Sequence, residues 1–334
     1  MPIVQRRPVN GSSYRAGAAT LAFALVAAGC AGSGDDGRGG PDGSGEVVAQ
    51  FASYDRAAQH DQRVIVGLLA EQEGQLAYGT VEFRFAYLGT SESPEPSRRV
   101  GAPVTATYRA LPGTSSRRGE EGPTVVSAAE SRGVYAADDV RFDKAGLWSV
   151  IVTGKVDGDP FEATAAFEVN PEPYVVAEGE PAPRTANPLP GAPGVKPQAI
   201  DSRAADDGIV PDPELHTTTV ADALTAGQPV IVVVATPVYC VSRFCGPITD
   251  AVQQLATEYG DRIAFVHLEV WNDFENQVVN DGAAEWITPR GGRDRDLREP
   301  WVFVVGADGT IAERFDNVAS EDELRAAAQR LAGQ

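Results

Sequence analysis

The sequence predicts a protein of two folded regions, an all-β sandwich followed by an α/β domain. Two observations support this fold class. Residues 46–170 contain short runs of alternating apolar and polar residues, separated by turns rich in Gly, Pro and Ser. Residues 200–334 instead alternate β-branched runs with amphipathic segments. The chain of 334 residues is also longer than most single domains, which favours two folded regions joined by a linker.

The all-β prediction depends on short runs with a period of two. They lie at residues 63–69, 80–87, 104–108, 133–135, 145–152 and 161–169. Successive side chains of a strand point to opposite faces of a sheet, so each run can bury one face against a shared core. Several short strands of this kind predict a sandwich.

The last part of this β region also resembles a known family. Gly133-Val-Tyr135, Phe142 and Ala145-Gly-Leu-Trp148 are similar to the immunoglobulin-like sandwiches of the extracytoplasmic YtkA type. Some members of that group bind copper through Met and His. Here the one Met is Met1 and the nearby His is His60, so we expect a spacer or a protein-contact domain without metal.

The chain begins with a targeting segment. Arginines precede an apolar stretch at residues 16–28, which is too short to span a bilayer as a helix. The stretch runs up to Cys30 and resembles a bacterial lipoprotein signal. The resemblance implies that residues 1–29 are a signal peptide and that Cys30 is lipidated, which would anchor the protein at the extracytoplasmic face of the cell membrane. A secretory signal cleaved elsewhere is the alternative.

Two segments have the composition of connectors. Residues 30–45 are rich in Gly and polar residues, which predicts a flexible tether after the lipidation site. Residues 171–199 are rich in Pro, Ala and Gly without periodicity, which predicts a semi-extended linker between the two folded regions.

Charge limits the classes of partner. The net charge is −19, which argues against binding nucleic acid or anionic lipid through a basic patch. Contact with a membrane is therefore expected through the lipid on Cys30, and the remaining partners are expected to be other extracytoplasmic proteins.

The C-terminal region has a clear order of elements. We predict strands at residues 230–235, 263–270, 301–305 and 310–315, with a turn at 306–309 that makes a hairpin of the last two. We predict helices at residues 216–226, after the cysteines, near 283–286 and at 321–331.

Two cysteines stand at the junction between the first of these strands and a helix. Cys240 and Cys245 follow the β-branched run 230–235, and Val252, Leu255 and Tyr259 continue at helical spacing. Two thiols at such a junction can form a disulfide, and a helix N-terminus stabilises a thiolate. With Cys30 acylated, these are the two remaining thiols, and the predicted compartment permits disulfides.

This order of elements resembles the thioredoxin superfamily over residues 200–334. The 14 residues from Cys245 to Tyr259 match the family spacing, and Pro300 stands where the family has a cis-proline beside the disulfide. The resemblance implies that Cys240 attacks a substrate disulfide and that Cys245 resolves the mixed disulfide, without a cofactor. The expected function is thiol–disulfide exchange on extracytoplasmic proteins.

Four residues or spacings depart from the thioredoxin pattern. The motif is C-x4-C instead of C-x2-C, Tyr239 replaces the usual tryptophan, and Val234 occupies the position of the buried family aspartate. No group that could deprotonate Cys245 is therefore evident from the sequence. Glu299 is expected to place a charge beside the site where substrates pair.

Three alternative functions remain open. The run Thr236-Pro-Val-Tyr-Cys240 with Cys245 also resembles one-chain peroxiredoxins of the bacterioferritin-comigratory type, which implies that Cys240 would reduce a peroxide. Pro300 stands where those proteins have the peroxidase arginine, with Arg298 nearby. Alternatively, the protein is a non-enzymatic binding lipoprotein in which the disulfide closes a turn, contributing about 2–3 kcal/mol. The third alternative is a Sco-like copper carrier.

The copper alternative needs a histidine near the thiols. His267 lies within a predicted strand, which is typical of a core or sheet-face histidine, and His216 is expected at the surface. The sequence therefore predicts no metal site. Trp271, Trp286 and Trp301 are expected to pack in the core, with Trp301 bordering the cysteine site.

Overall fold

The computed structural model describes residues 47–70, 74–94, 100–116, 122–205, 207–291 and 297–333. The predicted signal peptide, the lipidation site at Cys30 and the tether at residues 30–45 lie outside the described residues. Residues from Ser44 onwards belong to one compact unit. Strands make up 40% of the structure and helices 17%, so the protein is rich in β structure and contains several sheets.

The first sheet contains nine antiparallel strands. They are β1 (Val48–Phe51), β2 (Asp61–Ala70), β3 (Gly74–Ala77), β4 (Thr80–Gly89), β5 (Val104–Ala110), β6 (Thr124–Ser127), β7 (Gly133–Arg141), β8 (Gly146–Val156) and β9 (Asp159–Val169). The order is β6-β3-β2-β7-β5-β4-β8-β9, and β1 also pairs with β2. The strands are thus joined in one continuous sheet, and Phe51 of β1 stacks on Phe167 of β9 with ring centroids 4.0 Å apart.

The core of this sheet is aromatic. Phe142 packs against Phe85, Trp148 and Phe167 with ring centroids 5.1–5.5 Å apart. The alternating apolar residues of the sequence supply this inner face, as in β4, where every second residue from Val81 to Phe85 is buried.

The second sheet has four strands in the order β11-β10-β14-β15. The strands are β10 (Val230–Ala235), β11 (Ala264–Glu269), β14 (Trp301–Val305) and β15 (Ile311–Asp316); a small ribbon of β12 (Trp271–Asp273) and β13 (Val278–Val279) lies between β11 and β14 in sequence. β10 is parallel to β11 and antiparallel to β14. The hairpin predicted for residues 301–315 is confirmed as β14 and β15.

Helices cover both faces of the four-stranded sheet. They are α1 (Val220–Thr225), α2 (Cys245–Tyr259), α3 (Asp281–Ile287) and α4 (Glu321–Ala332). One face, with Ile231 and Val233, packs in one core with α2 and α4, and the other, with Val232 and Val234, packs in a second core with α1 and α3. All six residues of β10 are therefore buried. Among the described residues, no helix is long and apolar enough to cross a membrane.

The two sheets share one of these cores. Ile65 and Val134, from the nine-stranded sheet, belong to the same buried cluster as Val252 of α2 and Leu324 of α4. The two regions predicted as separate domains are therefore packed against each other through apolar side chains.

Residues 52–55 provide a second connection between the sheets. The Tyr54 hydroxyl donates to the carbonyl oxygen of Glu299 at 2.6 Å and lies 2.9 Å from Asn317 Oδ1. Asn317 Nδ2 donates in return to the carbonyl oxygen of Ala52 at 2.9 Å. Arg314 forms an ion pair with Asp55 at 2.7 Å. This segment thus fixes the position of the residues that precede and follow the β14–β15 hairpin.

The segment 171–199 is irregular, and the structure gives it a packing role that its composition did not indicate. The amides of Gly179 and Ala182 donate at 2.9 Å to the carbonyl oxygens of Ile311 and Gly309, so the segment runs along the β14–β15 hairpin. Thr185 is buried and accepts a hydrogen bond from Trp286 Nε1 at 2.9 Å. These contacts join the segment to the C-terminal sheet.

The prediction for residues 216–226 is partly wrong. The helix α1 begins only at Val220, because the side chain of Thr219 caps it by accepting from the amide of Asp222 at 3.0 Å. His216 precedes it, and its predicted surface position is wrong, since the side chain is buried. A local pattern could not show that this histidine turns towards a buried carboxylate.

The contacts of Tyr54 lead to a stability prediction. Tyr54→Phe removes the donor to Glu299 and leaves a part-buried carbonyl oxygen without it, so we expect the free energy of unfolding to fall by about 1–2 kcal/mol. Urea unfolding at 25 °C measures this change. Tyr239→Phe, at another partly exposed tyrosine, is the matched control and should change stability by less than about 0.5 kcal/mol. Equal effects of the two substitutions would contradict the role of Tyr54.

Candidate active site

A disulfide joins Cys240 and Cys245, whose Cα atoms lie 6.1 Å apart, so the predicted ability of the two cysteines to pair is confirmed. Cys245 is the first residue of α2 and is fully buried, whereas Cys240 is partly exposed. The two sulfurs therefore differ in access, and Cys240 is the one that an incoming thiolate can reach.

Hydrogen bonds and one left-handed residue fix the conformation of the turn that carries the cysteines. The amide of Cys240 donates to the carbonyl oxygen of Thr236 at 3.1 Å. The amide of Val238 donates to Ser202 Oγ at 3.2 Å. Arg243 has φ = 61°, a left-handed conformation that reverses the chain before α2. Ser242 Oγ lies 3.2 Å from Cys240 Sγ, within reach of a hydrogen bond to that sulfur.

Pro300 lies immediately before β14, and its peptide bond with Glu299 is cis, as predicted. The carbonyl oxygen of Pro300 accepts from the amide of Asn317 at 2.9 Å. The backbone on both sides of this peptide bond is therefore bonded, to Tyr54 on the Glu299 side and to Asn317 on the Pro300 side.

Glu299 lies next to the disulfide. One carboxylate oxygen of Glu299 and the two sulfurs all lie within 4.8 Å of one another. Burial raises the pKa of Glu299 to about 8, with a further contribution from the carboxylate of Glu269 and an opposing one from the backbone of Thr236. The expected charge beside the cysteines is therefore largely neutralised at pH 7, because the carboxyl group keeps its proton.

Glu269 is a second buried acid under the same turn. Its carboxylate accepts from the amide of Ser202 at 2.8 Å and from the amide of Trp271 at 3.2 Å. Burial nevertheless raises its pKa, against the opposing effect of His267. Glu299, beside the disulfide, and its neighbour Glu269 thus both have raised pKa values. Acids with perturbed pKa values are common at functional sites.

A separate polar cluster surrounds Asp201. His267 Nδ1 lies 3.3 Å and His216 Nε2 lies 3.8 Å from Asp201 Oδ2, so these three side chains could offer ligands to an ion. However, the Arg203 guanidinium binds the same carboxylate oxygen at 2.7 Å. Burial opposes ionisation of Asp201, but the neighbouring His216, His267 and Arg203 side chains outweigh it and lower its pKa. We therefore interpret the cluster as a buried charge network.

Apolar side chains surround the exposed side of the disulfide. Val238 and Val241 flank Cys240 with 54% and 98% of their surface exposed. The ring of Tyr239 stacks on Phe274 at 3.9 Å. Of the three tryptophans expected in the core, Trp286 and Trp301 are buried and Trp271 is partly exposed, in contact with Phe274.

The sequence did not predict a role at this site for three residues, Tyr54, Ser202 and Glu269. Tyr54 is distant in sequence, and Ser202 carries no motif. Glu269 gave the strongest usable signal, because it is an acidic residue at the end of a strand that is buried throughout and whose only other polar residue is His267.

Comparison with known proteins does not assign this chain to a family. No protein-family model matches it, and no curated protein matches it. Among solved structures, BslA, a bacterial hydrophobin, is similar over 39% of this chain and 96% of its own, with 13% identity and a TM-score of 0.21. At this TM-score the similarity does not establish a common fold.

The raised pKa of Glu299 leads to a prediction about stability. Its folded value of about 8 exceeds its ordinary value of 4.5, so its contribution is favourable below about pH 4.5 and is lost as pH rises towards 8. The free energy of unfolding of Glu299→Gln should therefore increase relative to the parent protein between about pH 5 and pH 8. Denaturant unfolding of the oxidised protein across this range tests it. A difference that does not change with pH would contradict the raised pKa.

Proposed function

We propose that this protein is a thiol–disulfide oxidoreductase that exchanges disulfides through Cys240 and Cys245. The observation that carries the proposal is the geometry of this pair. A partly exposed sulfur is bonded to a fully buried one at the start of a helix, and the carboxyl group of Glu299 lies within 4.8 Å of both. A disulfide that only closes a turn needs neither the difference in access nor the neighbouring acid.

The arrangement of the C-terminal elements supports a thioredoxin-like fold. The cysteines follow β10, which lies centrally in the sheet between β11 and β14. The hairpin of β14 and β15 and the helix α4 then complete the region, and a cis-proline precedes β14. These features are the ones that the resemblance to the thioredoxin superfamily implies.

The proposed reaction proceeds in two exchange steps. The thiolate of Cys240 attacks one sulfur of a substrate disulfide, and the other substrate sulfur leaves as a thiolate. The thiolate of Cys245 then attacks Cys240 in this mixed disulfide, which forms the Cys240–Cys245 bond and releases the second substrate thiolate. The substrate gains two electrons and the pair loses two. The reverse sequence oxidises a substrate dithiol.

The surroundings of Cys240 favour a polypeptide substrate. Val238 and Val241 are exposed apolar side chains beside the reacting sulfur, and burying them against an apolar segment of a partner would be favourable. The partner in this proposal is an extracytoplasmic protein with an accessible disulfide or dithiol.

The N-terminal sequence is the basis for a proposed location of the exchange reaction in the cell. We propose that the mature protein begins at a lipidated Cys30 and that the tether at residues 30–45 joins it to the membrane surface. The nine-stranded sheet then serves as a scaffold, since Tyr54 supports the carbonyl oxygen of Glu299 beside the disulfide.

Substitution of each cysteine tests the exchange reaction. In a full chain with Cys30→Ser, Cys240→Ser should abolish reduction of a protein disulfide, because the accessible nucleophile is lost. Cys245→Ser should still attack and should accumulate a mixed disulfide, because the resolving thiol is lost. Mass spectrometry under non-reducing conditions measures both. A parent protein that consumes hydrogen peroxide faster than it reduces a protein disulfide would instead favour the peroxidase. Inactivity towards both substrates would favour a structural disulfide.

A further inference from the structure

The side chain of Glu299 is partly buried, and in the described part of the chain one of its two carboxyl oxygens lacks a hydrogen bond. Within the described residues, Glu299 Oε2 is shielded from solvent and has no hydrogen-bond partner. Leaving a buried polar atom unpaired costs free energy, which an apolar side chain at this position would avoid. The same side chain lies within 4.8 Å of both sulfurs. The unpaired oxygen is therefore available to a proton that moves to or from the cysteines.

Of the two cysteines, Cys245 is the one that requires a nearby proton donor. Its side chain is fully buried and belongs to the same apolar cluster as Ile248 and Val252. When the disulfide opens, Cys245 leaves as a thiolate in these surroundings, where burial disfavours the charged form. The N-terminus of α2 stabilises a negative charge, but it supplies no proton.

We propose that Glu299 is the catalytic acid and base of the Cys240–Cys245 pair. It protonates Cys245 when the disulfide opens and removes this proton when the disulfide forms again. This inference rests on the proposed function, because it describes a step of the same exchange reaction.

Opening of the Cys240–Cys245 bond is a thiol–disulfide exchange coupled to one proton transfer. An incoming thiolate attacks Cys240 and forms a new S–S bond with it, and the Cys240–Cys245 bond breaks. The electron pair of that bond goes to Cys245, which receives the proton of the Glu299 carboxyl group. The products are a mixed disulfide at Cys240, a neutral thiol at Cys245 and a carboxylate at Glu299. In the reverse direction, this carboxylate takes the proton as Cys245 attacks.

Neighbouring titratable and charged side chains affect the protonation state of Glu299. Glu269 faces it from the end of β11 and Tyr54 from residues 52–55, and Arg298 precedes it in the chain. Burial and Glu269 raise the pKa of Glu299 to about 8, so the oxidised protein holds the proton at neutral pH. Above that pH, Glu299 is a carboxylate and repels the thiolate that forms on Cys245. The same residue should therefore assist the reaction below pH 8 and hinder it above.

The test measures how fast dithiothreitol reduces the disulfide between pH 6 and 10. The protein is the full chain with Cys30→Ser, and rates are expressed per dithiothreitol thiolate. At pH 6.5 the parent should react roughly tenfold faster than Glu299→Gln, because the amide cannot donate a proton. Above about pH 9 the parent should be the slower protein. Glu275→Gln removes an exposed acid next to Phe274 and is the matched control, expected to follow the parent at every pH.

The outcomes distinguish the role of Glu299 from the exchange function itself. A ratio of parent to Glu299→Gln that does not vary with pH would overturn the role of Glu299 and leave the exchange function in place. Failure of dithiothreitol to reduce the folded parent would overturn both. If Glu299→Gln does not fold, the pH profile of the parent protein tests the proposal. Its reduction rate per dithiothreitol thiolate must fall as pH rises through about 8. A rate that does not change with pH would overturn the proposal.

Discussion

The burial of β10 on both faces is the constraint on which the rest of this structure depends. Its six residues, Val230–Ala235, are all apolar, and helices pack against both faces of its sheet. A strand of this kind must lie centrally, so β11 and β14 pair with its two edges. The strand ends at Ala235, buried Thr236 follows, and the turn with Cys240 comes next. The position of the disulfide is thus a consequence of where the buried strand ends.

The same burial explains the electrostatics below the disulfide. Glu269 ends β11 and Glu299 precedes β14, the two strands that pair with β10, so both carboxyl groups lie at the edge of an apolar core. Water cannot stabilise their charges there, so burial raises both pKa values, and Glu269 raises that of Glu299 further. A fold that buried only apolar residues at this edge would be more stable, but the disulfide would then have no neighbouring proton.

The sequence predicted the parts of the fold that depend on local pattern. The limits of β10 were predicted residue for residue, and β14, β15 and α4 were predicted to within one residue at either end, because their apolar periodicity and turns are local. Glu299 was noticed only through its position before Pro300, and its raised pKa comes from burial and from Glu269, thirty residues earlier. Tyr54 meets Glu299 across 245 residues, a contact that no local pattern could predict. For the same reason the composition of residues 171–199 indicated a linker and missed the packing of Thr185 on Trp286.

The most direct test of the central claim is a redox titration of the folded protein, with Cys30→Ser, scored by the mass added on alkylation of Cys240 and Cys245. A reactive pair should have a midpoint between about −120 and −270 mV, the range of proteins that exchange disulfides. A midpoint well below roughly −300 mV, or no reduction while the protein stays folded, would show that the disulfide is a structural bond and would contradict the proposed function.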